Sequence, residues 1–146
     1  MREKFIMLVE DDSDHVALIL RSLRRQGMLD EVLVMLDGEE ALDFLFAEGA
    51  FVGRDISVMP AVVLLDLKLP RVSGLQVLER VRHDERTRKI PVVVLTTSDR
   101  DEDIRESYRQ GANSFVQKPV DFREFLETIR QLIFYWMNLN QVPFRP

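Results

Sequence analysis

The 146-residue sequence contains no cysteine, which excludes both a disulfide framework and a thiolate metal site. This absence is compatible with a reducing compartment, and the cytoplasm is the predicted location. The sequence has only two histidines, His15 and His83, and neither has a second ligand at a spacing typical of metal sites. Both histidines are therefore expected at the surface.

Long apolar runs and an excess of positive charge are also missing. No stretch approaches the roughly 20 apolar residues of a membrane helix, and the apolar run 5–9 is too short for a signal peptide. The net charge is −5, so the chain as a whole repels phosphate backbones, and neither a membrane nor nucleic acid is an expected partner. The basic group at Arg82, Arg86, Arg88 and Lys89 is interpreted as a solvated face.

Five strand-like apolar runs stand out, and the third and fourth consist almost entirely of Val and Leu. Continuous rather than alternating hydrophobicity is typical of strands that are covered on both faces, as in a parallel sheet. The predicted strands are Lys4–Val9, Glu31–Leu36, Ala61–Leu65, Ile90–Leu95 and Ser114–Gln117.

Helical patterns follow each of the five runs. The first has Asp12 or Ser13 as its N-cap, and the second opens at Asp37-Gly38. Five alternations of strand and helix predict an α/β fold, with right-handed crossovers that place helices on both faces of a parallel sheet. Residues 49–60 are expected to form a longer loop before the third strand.

Chemistry in such a sheet is expected at the carboxyl ends of the strands. In the strand order 2-1-3-4-5, the first and third strands are neighbours, so their acidic ends converge. Clustered carboxylates repel one another unless a cation joins them, and a ligand set made only of oxygen favours magnesium. The residues at the strand ends are Glu10, Asp11 and Asp12 (first), Asp66 (third), Thr96 and Thr97 (fourth) and Lys118 (fifth).

This combination suits phosphoryl transfer. A carboxylate is the nucleophile, a metal ion and a lysine neutralise the phosphoryl oxygens, and a hydroxyl group donates a hydrogen bond to one of them. The pattern also resembles a known family. The segments Leu8–Asp12, Leu65–Pro70 with Ser73-Gly74, Leu95–Thr97 and Phe115–Pro119 look like the motif set of response regulator receiver domains, in order and at typical spacing.

The resemblance implies a doubly wound five-stranded sheet in the order 2-1-3-4-5, a flavodoxin-like fold. It also implies that Asp66 accepts a phosphoryl group and that Thr96, with Thr97 beside it, supplies the switch hydroxyl. For the Mg²⁺ site it implies Asp11 as a direct ligand, Glu10 acting through water, Asp66, and the backbone carbonyl of Lys68. The other implied residues are the switch aromatic Phe115, the phosphoryl-binding Lys118, and Pro119 after a cis peptide bond.

The nearest resemblance is to single-domain regulators that serve bacterial phytochromes. It rests on the 49–60 loop and on the C-terminal segments 134–140 and 142–143. A sensor histidine kinase, of bacteriophytochrome type, is then the implied donor, and the protein acts in signalling, as a phosphate sink or as a relay intermediate. It is not expected to be an enzyme beyond slow self-catalysed loss of phosphate.

A magnesium-dependent phosphatase with an aspartyl nucleophile is the alternative. Such enzymes need a second Asp two residues after the nucleophile as general acid, and this sequence has Lys68 there.

The C-terminal residues are apolar on all sides of their helix, so one face cannot bury them all. We divide the chain into a receiver domain (1–138) and a tail or dimerisation arm (139–146). The arm either folds back on its own domain or, as we prefer, joins the fourth helix, fifth strand and fifth helix in a homodimer interface. The predicted interface residues are Phe134, Tyr135, Trp136, Val142 and Phe144.

Overall fold

A computed structural model describes residues 4–143 of the chain. Strands and helices alternate from β1 to α5. The strands are β1 (Ile6–Val9), β2 (Val32–Met35), β3 (Val62–Leu65), β4 (Val92–Thr96) and β5 (Ser114–Gln117). The helices are α1 (Ser13–Arg25), α2 (Gly38–Phe46), α3 (Gly74–Arg82), α4 (Asp101–Arg109) and α5 (Phe122–Phe134).

The five strands form one parallel sheet in the order β2-β1-β3-β4-β5, which confirms the predicted fold. In the register of the sheet, Val9 stands level with Leu65 at the ends of β1 and β3. The pairing continues for one residue more, because the amide of Asp66 donates to the Val9 carbonyl at 3.1 Å. Glu10 and Asp66 therefore leave the sheet side by side.

Each face of the sheet is covered by its own apolar layer. Buried residues of α2 and α3, such as Leu45 and Leu78, pack on one face. On the other face, Ile19 of α1 and Ile129 of α5 are both fully buried. This arrangement explains the continuous hydrophobicity of β1, β3 and β4, in which every residue is buried.

Two details of the turns bear on the sequence predictions. Asp12 is the N-cap of α1, since its side chain accepts hydrogen bonds from the amides of Asp14 and His15. The Lys118–Pro119 bond is trans, because residues 4–143 contain no cis peptide bond. The prediction of a cis bond before Pro119 was wrong in this structure, which has the isomer that X–Pro bonds ordinarily favour by about 0.5–1 kcal/mol.

The 49–60 loop contains a short 3₁₀ turn, Gly49–Phe51, and is anchored by Arg54. The Arg54 guanidinium donates to the carbonyls of Phe44 at 2.7 Å and Val58 at 2.6 Å, and it lies 3.9 Å from the centroid of the Phe44 ring. The loop is thus attached to the end of α2 at the amino end of the sheet.

The chain after α5 makes one π-helical turn, Tyr135–Leu139, and part of it packs on its own domain. Met137 is buried, and Val142 packs against the same layer as α1 and α5. Phe134 and Tyr135 are 49% and 48% exposed, Trp136 is half-buried, and Phe144 lies outside the described residues. Between residues 4 and 143, no helix has both the length and the apolar character needed to cross a membrane.

Candidate functional site

Three carboxylates meet at the carboxyl ends of β1 and β3. One oxygen from each of Glu10, Asp11 and Asp66 lies within 4.8 Å of the others. Glu10 is 1% exposed and Asp66 9% exposed, whereas Asp11 faces solvent. Three carboxylates at this separation repel one another unless a positive charge lies between or beside them.

Lys118 supplies one such charge from the end of β5. Its ammonium is buried and donates to Glu10 Oε1 in a short hydrogen bond, and to Asp66 Oδ2 at 3.3 Å. The backbone fixes its position, because the Lys118 amide donates to the Thr96 carbonyl at 2.7 Å. The lysine therefore bridges two carboxylates that come from different strands.

Burial makes the ionised form of Glu10 costly. The pKa of Glu10 is raised from its ordinary 4.5 to about 7, mainly because the carboxyl is buried; the hydrogen bond from Lys118 lowers it in part, and the neighbouring charge of Asp66 contributes to the rise. Near neutral pH, a proton on Glu10 thus competes with any cation that approaches the cluster.

The donor set fits a hard divalent cation. Every side chain of the cluster offers carboxylate oxygen, which Mg²⁺ and its close analogues prefer, and an exposed Asp11 leaves one side accessible. The backbone of Lys68 lies beside Asp66, with its amide 3.4 Å from Asp66 Oδ1, while the side chain of Lys68 is exposed.

The predicted switch residues occupy different environments. Thr96 is fully buried at the end of β4, and its hydroxyl oxygen accepts from the Ser98 amide at 3.4 Å. Thr97 is exposed. Phe115 is half-buried and packs against the layer that contains α2 and α3. Thr96 and Phe115 lie on the adjacent strands β4 and β5.

Gly74 allows α3 to begin directly against the site. A Cβ atom at this position would lie 2.2 Å from the carbonyl oxygen of Asp66 and 2.7 Å from Leu67 Cα, which no side chain can accept. Ser73 caps the helix through a reciprocal capping box with Gln76. The glycine therefore serves a close approach of backbones and does not line a phosphate-binding loop.

The sequence analysis missed one residue of the cluster, His15. Its Nδ1 lies 2.9 Å from the ammonium of Lys118, and its side chain is 25% exposed. A single histidine in a helical pattern carries no signal of such a contact, because the partner lies 103 positions away. Only the packing of α1 against the carboxyl ends of the strands brings the two residues together.

The comparisons with known proteins agree with this geometry. Residues 6–130 match the response regulator receiver domain family, and the chain belongs to that family.

Three relatives are similar over nearly the whole chain. The probable methanogenesis regulatory protein FilR2 of Methanothrix harundinacea is 42% identical over 94% of this chain and 86% of its own length. The phosphorylated cyanobacterial phytochrome response regulator RcpA has a TM-score of 0.89 at 32% identity, covering 97% of this chain and 99% of RcpA. The Mn²⁺-bound form of Rcp1, from Synechocystis, has a TM-score of 0.87 at 30% identity, covering 96% and 99%.

Proposed function

We propose that the chain is a phosphoacceptor of two-component signalling, in which Asp66 takes a phosphoryl group from a phosphohistidine of a sensor kinase. The observation that carries this proposal is the buried ammonium of Lys118, which contacts the carboxylates of both Glu10 and Asp66. A structural salt bridge needs one carboxylate for one lysine. A surplus of buried negative charge beside an open acidic face is instead suited to chemistry on phosphorus.

In the proposed reaction an oxygen of Asp66 attacks phosphorus, the P–N bond of phosphohistidine breaks, and an acyl phosphate forms. The displaced imidazole nitrogen retains the electron pair of that bond and takes a proton from solvent. Glu10, Asp11, Asp66 and the carbonyl of Lys68 would hold Mg²⁺, which neutralises charge on the phosphoryl oxygens when bound. Lys118, whose ammonium lies 3.3 Å from Asp66 Oδ2, would donate to one of these oxygens, and its contact with Asp66 supports this role.

The phosphoryl group adds about −2 of charge at pH 7. Thr96 would leave the Ser98 amide and donate to a phosphoryl oxygen, and Phe115 would repack into the space that Thr96 leaves. The surface of α4, β5 and α5 would then change its affinity for a partner by a population shift. We infer that the chain turns over no outside substrate and that, where the phosphoryl group is not passed to a partner, it is lost by slow self-catalysed hydrolysis.

Phosphotransfer tests the assignment of Asp66. A phosphorylated histidine kinase and a small phosphoramidate donor are each incubated with the native chain, Asp66→Asn and Asp30→Asn, with and without Mg²⁺. We expect one phosphoryl group on the native chain and on Asp30→Asn, only with Mg²⁺, and none on Asp66→Asn. Asp30 is an exposed aspartate near the start of β2 and serves as the matched control. Equal labelling of all three chains would overturn the proposal.

We propose a kinase of phytochrome type as the donor. RcpA is a phytochrome response regulator and is similar over 97% of this chain, which supports the proposal, whereas FilR2 is described as a methanogenesis regulator. A bacteriophytochrome kinase should label Asp66 at rates that differ between red and far-red light. A light-independent kinase that labels the chain faster than any phytochrome would contradict the proposed donor.

A second measurement separates a relay from a phosphate sink. Rapid onward transfer of the phosphoryl group to a second histidine would identify a relay, and the absence of such transfer would identify a phosphate sink.

We also propose that the chain pairs with a second copy through α4, β5, α5 and the arm at 139–146. Tyr135 and Trp136 line an open groove with Ser114 and Val116 of the edge strand β5. Phe134 and Tyr135 are half exposed, as an interface requires. Val142 packs on its own domain, so its predicted role in the interface is the least supported, and Phe144 stays a prediction.

Sedimentation of Phe134→Ser/Tyr135→Ser tests the pairing. We expect a dimer for the native chain and a monomer for the double variant. Val52→Ser is the control, since Val52 is 76% exposed in the 49–60 loop, and it should remain dimeric. A native chain that stays monomeric at high concentration would refute the proposal.

A further inference from the structure

The ammonium of Lys118 has three hydrogens and three acceptors. Two acceptors are the carboxylates of Glu10 and Asp66, and the third is the imidazole Nδ1 of His15 at 2.9 Å. A lysine ammonium offers three donors and no acceptor, so this buried group is fully satisfied. His15 is the one of the three acceptors that is not a carboxylate, and it comes from α1.

A hydrogen bond at this contact requires one particular tautomer of the ring. Because an ammonium cannot accept a hydrogen bond, Nδ1 must contribute its lone pair, and the ring proton stands on Nε2. A ring protonated on both nitrogens would instead place two cations 2.9 Å apart. The acidic groups nearest to Nδ1 are Asp12 Oδ2 at 3.7 Å and Glu10 Oε1 at 3.9 Å, both beyond hydrogen-bond distance.

The ring itself is held in place from two sides. Its backbone amide donates to the N-cap carboxylate of Asp12 at 3.3 Å, which fixes the first turn of α1. The imidazole packs against the buried ring of Phe125 in α5, with ring centroids 5.6 Å apart and planes inclined by 34°. The nitrogen that contacts Lys118 therefore belongs to a ring that the packing of α1 against α5 holds in place.

We propose that His15 is a positioning residue, whose Nδ1 holds the Lys118 ammonium at the junction of Glu10 and Asp66. This inference rests on the proposed function. The hydrogen bonds from Lys118 to both carboxylates would change during the reaction. Glu10 would also interact with a metal ion, and Asp66 would become an acyl phosphate. The bond to His15 is independent of those changes, so it keeps the ammonium within reach of the phosphoryl oxygens.

Two substitutions separate positioning from packing. His15→Phe keeps an aromatic ring against Phe125 and removes the acceptor. His15→Asn removes the ring and keeps an acceptor oxygen near the position of Nδ1. The rate at which a phosphoramidate donor labels Asp66 in saturating Mg²⁺ is measured for both, together with the free energy of unfolding.

A positioning role predicts that the two measurements rank the variants in opposite order. His15→Phe should be the more stable of the two and should label about tenfold more slowly than the native chain, equivalent to about 1.4 kcal/mol in the barrier. His15→Asn should be the less stable and should label at a rate close to native. If His15→Phe labels at the native rate, or if the slower variant is also the less stable one, His15 acts only in packing. A native chain that is not labelled at all would instead refute the assignment of Asp66.

Discussion

Two cationic side chains lie at opposite ends of the same sheet, and their partners differ in kind. Arg82, at the amino end, donates to the carbonyls of Gly111 at 2.8 Å and Ile90 at 2.8 Å and to the Asn113 side chain at 2.8 Å. Burial lowers the pKa of Arg82, and its hydrogen-bond partners carry no charge. Lys118, at the carboxyl end, is bound mainly by carboxylates.

Under the proposed function, the difference separates a structural cation from one that takes part in chemistry. Arg82 ties the end of α3 to the residues that precede β4 and β5, and its partners are backbone and amide groups that do not change charge. Lys118 is bound to carboxylates, whose charge would change with a proton, a metal ion or a phosphoryl group. The expectation that Arg82 belongs to a solvated basic face was therefore wrong, because its guanidinium binds the amino end of the sheet.

The largest effect is expected at Arg82. Arg82→Met would remove the donor from two part-buried carbonyls, those of Gly111 and Ile90, at about 1–3 kcal/mol for each unsatisfied group, so we expect a loss of about 2 kcal/mol or more in the free energy of unfolding. Urea unfolding, followed by the fluorescence of the single tryptophan, measures it. Arg24→Met, at an exposed site in α1, is the control and should change stability by less than about 0.5 kcal/mol. If Arg82→Met and Arg24→Met were equally stable, Arg82 would have no structural role at the amino end of the sheet.

The second prediction concerns pH at the carboxyl end. The pKa of Glu10 is raised to about 7, so a proton must leave before a cation binds fully, and Mg²⁺ affinity should rise about tenfold between pH 6 and pH 8. The stability of the fold without a cation should change in the opposite direction, falling as the pH rises. The contribution of Glu10 to folding is complete below pH 4.5 and is lost as the pH rises through about 7.

Titration calorimetry across this range, with Glu10→Gln as the control, checks the prediction. The control should bind Mg²⁺ more weakly, and its affinity should vary less between pH 6 and pH 8. A native affinity that is constant over the range would contradict it.

A third prediction tests whether Lys118 contributes to stability. Removing only the lysine would leave Glu10 and Asp66 unpaired, but replacing a buried ion pair by neutral groups of similar size is often neutral or stabilising. We expect Glu10→Gln/Lys118→Met to unfold within about 1 kcal/mol of the native chain or to be more stable, and to accept no phosphoryl group. A loss as large as that of Arg82→Met would show that both cations are structural.

The smallest effect is expected at Lys68, two residues after the phosphoacceptor. Its backbone amide lies 3.4 Å from Asp66 Oδ1 and its side chain is exposed, so we expect the ammonium to reach a phosphoryl group on Asp66 and either stabilise the acyl phosphate or shield it from water. We expect the phosphoryl lifetime of Lys68→Asn to differ from native by about two- to threefold, equivalent to less than about 1 kcal/mol. Decay of labelled protein after removal of the donor measures the lifetime, and equal lifetimes would dispose of the effect.

The strands and the order of elements were predictable because strands that are buried on both faces appear in the sequence as continuous apolar runs. The predicted fifth strand, Ser114–Gln117, is that of the structure, whereas the predicted first strand, Lys4–Val9, begins two residues too early. The meeting of Glu10, Asp11 and Asp66 followed from the rule that parallel strands end at one edge. The trans bond before Pro119 and the role of Arg82 did not follow, because they depend on local packing and on partners distant in sequence.

The sequence by itself determined the parallel sheet, the acidic residues at its carboxyl end and the lysine beside them. Each of these features follows from a short run of neighbouring residues. Only the tertiary structure decided that His15 of α1 contacts Lys118, that Arg82 binds carbonyls near β4 and β5, and that Val142 packs on its own domain. These contacts join residues from separate elements. Their energy depends on the distance between atoms, which no local pattern encodes.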